Sequence, residues 1–256
     1  MWVHSSVDLK EDKAIRLGHP SYVWRFGQER RLALMRQYVP LEGKRILDVG
    51  CGLGMYVKRF RDFSEAVYGV DVDLERAAEA GRGLPHICAA AAEALPFPDD
   101  CFDVVLLNEV IEHVEDDRRA VHEACRVAKA GGKVVIFAPN RLYPFETHGI
   151  FWRGRYHFGN FPLVNYLPDA LRRRLCPHAR AYTGRGLRAL FEGLDVKFVV
   201  HTQIYPGYDK IIRRRPWLGN LLRRATYALE GTPLRAFGLS HFAVVEKLSA
   251  PRSPLK

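Results

Sequence analysis

Three groups of residues in this 256-residue chain have the types and the spacing to do chemistry. The first is ILDVGCGLG at residues 46–54, a short apolar run that empties into glycines 50, 52 and 54. Side chains at the carboxyl end of a strand would block a nucleoside-bearing cofactor. Glycines there let the backbone approach closely and turn sharply into a helix. Dinucleotide enzymes use a similar turn, so the loop alone does not discriminate. Asp71 adds the second half of the signal. It ends the next apolar run about twenty residues downstream, where a carboxylate can accept both ribose hydroxyls. The competing reading of Asp71 is a simple strand-end turn residue.

The second group is Asn108, Glu109, Val110, Ile111, Glu112 and His113. If this segment begins a helix, Glu109, Glu112 and His113 fall at i, i+3 and i+4, on one face. Two carboxylates and an imidazole so placed can hold a divalent cation, magnesium or manganese, which would lower a hydroxyl's pKa and position it. Two plainer explanations stand beside this one. Acids in a first helical turn are favoured by the helix dipole alone, and His113 could pack or act as a metal-free base. Of these residues, Glu112 and His113 are the candidate catalytic pair.

The third group is basic. The net charge is +10, and it is concentrated in two stretches. Residues 141–182 combine Phe151, Trp152, Tyr156, Phe158 and Phe161 with Arg153, Arg155 and the run Arg172–Arg174. In residues 205–238, Lys210, Arg213–Arg215, Arg223, Arg224 and Arg235 face only Asp209 and Glu230. There Trp217, Leu218, Leu221, Leu222, Ala225 and Leu229 share a helical stripe with the arginines alongside. Such a helix can lie on an anionic membrane, or dock as a lid with its apolar face buried and its arginines solvated. Either arrangement favours an anionic or amphipathic partner at the site.

The elements that must position these groups follow from periodicity. Ser21 to Tyr38 carries apolar residues at helical spacing, with Pro40 as a stop. Strands are expected at 46–49, at 66–70 ending in Asp71, at CFDVVLLN, at GKVVIFAPN, at VKFVVHTQ and at SHFAVVEKL. Helices are expected after Gly54, over AAEAGRG, over DDRRAVHEACRVAKAGG up to its glycines, and over GRGLRALFE. Strands with little polar alternation, separated by helices, imply a parallel sheet covered on both faces. The expected organisation is a helical arm over 1–40 and a doubly wound α/β domain over 41–256, with insertions at about 141–182 and 205–238.

Composition bounds the rest. Apolar residues make up 48% and charged ones 27%, which suits a globular core. No apolar run approaches the roughly 18 residues of a membrane span. The opening MWVHSSVDLKEDK has acids where a secretory signal has its apolar run, so a cytoplasmic location is expected, with peripheral membrane contact through the basic insertions. Cys51, Cys88, Cys101, Cys125 and Cys176 are odd in number and lack a CxxC pair. They argue against a disulfide framework and a cysteine zinc site.

Residues 44–140 resemble the class I S-adenosylmethionine-dependent methyltransferases of the type-11 group. The resemblance rests on the glycine loop, YGVDVD, EALPFPDDCFDVVLLNEVIEHV and RVAKAGGKVVIFAPN. It implies a Rossmann-like sheet of seven strands, mostly parallel, whose last strand runs antiparallel. It implies that Asp48 and the loop Gly50, Cys51, Gly52 and Gly54 hold the methionine part of S-adenosylmethionine. Asp71 would hold the ribose, Val72 would pack on adenine and Asn108 would line the methyl-donor cleft. The sequence departs at Ala91, where many relatives have an aspartate for the adenine amino group. Backbone groups at Ala92 or the side chain of Glu93 are the substitutes. The E-x-x-E-H run also resembles the metal-binding segment of small-RNA 2′-O-methyltransferases and of ubiquinone-biosynthesis O-methyltransferases. In the RNA group a further histidine lies beyond strand five, which here implies His148, with His157 second. The expected function is O-methylation of a small or lipid-linked acceptor such as a quinone, a lipid or a glycan. An RNA methyltransferase is the alternative, and a non-catalytic cofactor-binding protein is the third reading.

Overall fold

The computed structural model describes residues 15, 17 and 23–249, so the expectation for the first twenty residues lies almost wholly outside it. Strands β1 (Ile46–Val49), β2 (Val67–Asp71), β3 (Ile87–Ala89), β4 (Phe102–Asn108) and β5 (Ala128–Pro139) run parallel. Two later strands, residues 196–204 and 240–247, extend the sheet beyond β5 to give seven strands. The order across the sheet is 196–204, 240–247, β5, β4, β1, β2, β3. Residues 240–247 run antiparallel to both neighbours. This is the doubly wound sheet expected, with the sixth and seventh strands where VKFVVHTQ and SHFAVVEKL place them.

The strands lack polar alternation because both faces are buried. Leu47, Val49, Val105, Leu107, Val134 and Ile136 point into one core. Ile46, Val104, Leu106, Val135, Phe137 and Phe242 point into the other. Each fully buried aliphatic or aromatic side chain contributes about 1.5–3 kcal/mol. Helices α1 (Phe26–Arg36) and α2 (Met55–Phe60) cover the second face with Leu32, Met35, Tyr56, Val57 and Phe60. Helix α3 is Leu74–Gly81, and α4 (Asp117–Val127) covers the first face with Ala120, Val121, Ala124 and Cys125.

One boundary differs from the sequence expectation. Helix α4 stops at Val127, four residues before its glycines, and Ala128 already pairs with Phe102. The final carbonyls are captured by tertiary partners: Cys101 N–H donates to Val127 O, and Lys247 Nζ donates to the carbonyls of Arg126 and Ala128. Tertiary bonding overrides the glycine stop signal.

The first insertion is a small cap of paired strands. β6 (Phe145–Glu146) pairs with β9 (Phe161–Pro162), and β7 (Ile150–Trp152) pairs with β8 (Arg155–His157). Helix α5 (Asp169–Leu175) follows. Its Arg172, 4% exposed, donates to Asn165 Oδ1, to the Ala179 carbonyl and to Glu146 Oε2, which is also buried. Helix α6 is Gly184–Ala189, and β10 and β11 are the strands 196–204 and 240–247. Between β10 and β11 lie α7 (Asp209–Arg214) and α8 (Pro216–Leu229). Among the described residues, no helix is long and apolar enough to cross a membrane.

Removing one member of a buried ion pair strands the other charge. Arg172→Met should therefore cost about 3–5 kcal/mol of folding stability. Urea denaturation measures this, and an unchanged midpoint would show that the pair does not hold the cap.

Candidate active site

The glycine loop is shaped first by the protein itself. Gly50 has φ +72°, and a Cβ placed there would stand 2.5 Å from Val110 Cγ2. The turn is tied to β2, since Gly50 and Cys51 both donate their N–H to Val70 O. Asp71 Oδ2 accepts from Gly52 N–H at 2.7 Å, and Oδ1 accepts from Asp73 N–H at 2.9 Å. Asp71 thus fixes the loop, and each oxygen keeps a second lone pair for a ligand hydroxyl.

Asp48 is buried beside it. Burial, and then the neighbouring Asp71 charge, push its carboxyl well above the usual range. Val72, Ala91, Ala92 and Glu93 line the far end of the same cavity, whose volume is about 920 Å³. Glu93 Oε1 accepts from Glu115 N–H at 2.8 Å, so part of that carboxylate is committed to the loop before α4.

At the end of β4 residues 109–113 do not begin a helix, so the i, i+3, i+4 face considered for Glu109, Glu112 and His113 does not form. Glu109 sits in left-handed backbone at φ +56°, and Ile111–His113 form a turn instead. A non-glycine residue in that region is strained and must be held by its surroundings. Here the holder is Arg31 on α1. Its Nη1 donates to Asn108 Oδ1 and its Nη2 to Glu109 Oε1, both at 2.6 Å. Ser240 Oγ donates to the same Glu109 oxygen at 2.9 Å. Burial raises the Glu109 carboxyl, but Arg31, His148 and Ser240 more than reverse this and hold it below its ordinary value.

The turn nevertheless assembles a cluster. Ligand atoms of Glu112, His113 and His148 all lie within 4.8 Å of one another, while Glu109 stands aside with Arg31. His157 lies on β8, paired opposite Ile150, and is not in the cluster. His113 Nδ1 faces the carbonyl of His178 at 3.1 Å, an acceptor only, so Nδ1 carries the proton and Nε2 a lone pair. His148 Nδ1 faces Glu146 Oε1 at 2.8 Å, which leaves its Nε2 free in the same way. Glu112 is 1% exposed, and neither of its oxygens has a hydrogen-bond partner among the described residues. Burial, and then Glu109, push its carboxyl up. Burial and His148 push His113 down to about 4.

Sequence reasoning did not find Arg31, Ser240, Glu146 or His178. Arg31 lies in a charged run, QERR, that reads as a solvated helix face. Glu146 and His178 come from segments without periodicity, and Ser240 opens the expected strand SHFAVVEKL, where a serine carries no signal of its partner.

Gly50→Ala should cost about 1–3 kcal/mol through positive φ and the Val110 contact. Adding Val110→Ala should recover part of the loss, whereas strictly additive losses in thermal denaturation would show that the contact is not the cause.

Residues 47–136 match a family model described as a methyltransferase domain. An uncharacterized protein of Methanocaldococcus jannaschii is 38% identical over 90 residues, which are 35% of this chain and 42% of that protein. A demethylmenaquinone methyltransferase of Renibacterium salmoninarum is 35% identical over 109 residues, 41% of this chain and 46% of its own length. The chain thus spans less than half the length of these relatives. An S-adenosylmethionine-dependent methyltransferase from Mesorhizobium loti has a similar fold, with a TM-score of 0.56 at 20% identity, over 84% of this chain and 96% of that one. Residues 47–136 are thus similar to a methyltransferase domain, and they lie on a seven-stranded sheet whose last strand runs antiparallel, the fold of the Mesorhizobium structure.

Proposed function

We propose that the chain transfers a methyl group from S-adenosylmethionine to a hydroxyl of a small or lipid-linked acceptor. One observation carries the reading. A single cavity is lined both by the cofactor-type loop, with Asp48 and Asp71, and by the imidazoles of His113 and His148. The residues present fit the cofactor: Asp48 is a buried carboxyl group lining the cavity, suited to an ammonium group, and Asp71 has lone pairs to spare for two hydroxyls. Ala92 and Glu93 border the adenine end. When bound, S-adenosylmethionine supplies an electrophilic methyl group with an excellent leaving group, so the chain has only to align the acceptor and take its proton.

The cluster of Glu112, His113 and His148 fits a divalent cation. Among the described residues, two imidazole Nε2 atoms are free, each ring is oriented by a bond at Nδ1, and Glu112 is buried without a hydrogen-bond partner. Ligating histidines are commonly oriented through their second nitrogen in this way. Two nitrogen donors favour manganese over magnesium, which prefers oxygen donors. When bound, the cation supplies Lewis acidity that makes an acceptor hydroxyl easier to deprotonate. In a metal-free enzyme, His113 Nε2 is itself the proton acceptor, because burial keeps the ring neutral near pH 7.

The name of the Renibacterium relative supports a lipid-linked quinone among the acceptor classes. The alternative acceptor is RNA, favoured by Arg213, Arg214, Arg215 and Arg224, which are exposed and have no ion pair among the described residues.

Asp71→Ala should weaken S-adenosylmethionine binding by about 1.5–3 kcal/mol in calorimetry, the scale of a charged hydrogen bond. Unchanged affinity would remove the ribose assignment. EDTA should suppress turnover and manganese restore it, and Glu112→Gln should weaken manganese binding in the wild-type fold. Equal turnover with and without EDTA would leave His113 as a metal-free base.

A further inference from the structure

The second insertion turns out differently from a lid with a buried apolar face. Helix α8 faces inward with Arg223 and Tyr227. The guanidinium of Arg223 donates to the Gly207 carbonyl and lies 3.7 Å above the ring of Phe26, while Arg30 lies 3.8 Å above the ring of Tyr227. The apolar side chains face outward. Trp217 is 70% exposed and Leu221 58%, with Ala225 and Ala228 exposed beside them. Positions 217, 221, 225 and 228 form one helical stripe. The expected stripe therefore splits: Leu218, Leu222 and Leu229 are half-buried, and the largest apolar residue stands in water.

The charges divide in the same sense. Both acids of the insertion are paired inward, Asp209 with Arg223 and Glu230 with Arg30 and the Tyr205 N–H. Arg213, Arg214, Arg215 and Arg224 are exposed, with no ion pair among the described residues. This surface adjoins the mouth of the cavity. Asp209, the first residue of α7, lines the cavity together with Tyr205–Gly207 and the exposed Phe158, and Lys210 Nζ lies 5.7 Å from the Phe158 ring.

We infer that the outward faces of α7 and α8 dock on an anionic lipid bilayer, setting the mouth of the cavity beside the membrane. Helix α8 carries no acid, the acids flanking it are turned inward, and its outward stripe of tryptophan and leucine beside exposed arginines suits a surface that is both apolar and negative. Tryptophan suits the headgroup boundary, and the four flanking arginines suit anionic headgroups. A groove for RNA would need the charge but not the aliphatic stripe. Use of this face to draw an acceptor from the bilayer rests on the methyl-transfer reading above; the docking itself does not.

The test is co-sedimentation of the full chain with phosphatidylcholine vesicles containing about one-third phosphatidylglycerol, against phosphatidylcholine alone. The wild type should bind the anionic vesicles with a blue shift in tryptophan emission. Arg213→Gln with Arg214→Gln and Arg215→Gln should weaken binding by about a hundredfold or more. Trp217→Ser with Leu221→Ser should weaken it at least about tenfold and abolish the blue shift. Both of these residues are largely exposed, so the variant keeps the fold, and its thermal midpoint and S-adenosylmethionine affinity should match the wild type. No preference for anionic vesicles overturns the inference. So does vesicle binding indifferent to Trp217→Ser with Leu221→Ser, and tight, salt-sensitive RNA binding in that case would assign the face to RNA. Failure of the methyl-transfer reading would appear in the cofactor calorimetry and leave the vesicle result unaffected.

Discussion

A carboxylate removed from water must keep a proton or meet a cation, and Glu112 is buried where only those two outcomes are open. Its oxygens have no donor among the described residues, and the neighbouring Glu109 already belongs to Arg31 and Ser240. Desolvating an unpaired charge costs several kcal/mol, so a folded chain retains such a group only where something offsets the cost. Here the surroundings are ordered around it. The turn after β4 presents His113, the cap presents His148, and both rings turn a free nitrogen toward the same place. The buried pair of Arg172 and Glu146 fixes His148 from behind.

The sheet makes this meeting possible. Because β1 and β4 are neighbours, the glycine loop after β1 and the turn after β4 emerge side by side at their carboxyl ends, the usual place for ligands in open α/β sheets. The Val110 side chain fills the space that a Cβ on Gly50 would need. The loop and the turn are therefore built against each other, and a cofactor and an acceptor would share one cavity. Helix α1 completes the wall through Arg31, whose bonds join it to β4 and to β11.

Much of this was legible in the sequence, and the boundary has physical causes. Parallel strands buried on both faces read as unbroken apolar runs, so the sheet and its glycine loop were recoverable. The E-x-x-E-H run was read through a geometry that the structure does not have. A helical face was considered, whereas positive φ at Glu109 makes a turn that removes Glu109 from the group and leaves Glu112 and His113 in it. Periodicity cannot reveal a strained residue held by an arginine 78 positions away. The cap was opaque for a similar reason. Its order comes from Arg172 reaching Glu146, Asn165 and Ala179, contacts that leave no repeat in the chain. In the second insertion the composition was right and the orientation was not. Arg223 turned inward because a backbone carbonyl and an aromatic face were waiting for it.

The central claim is that cofactor loop and cation cluster form one site. Diffraction from crystals soaked with manganese and S-adenosylhomocysteine, recorded at the manganese absorption edge, tests it most directly. One shared site requires an anomalous peak bonded to Glu112 and to Nε2 of His113 and His148, with ribose density on Asp71 in the same cavity. Ribose density away from Asp71, or a cluster that stays without a peak while Glu112 holds a proton, would contradict it.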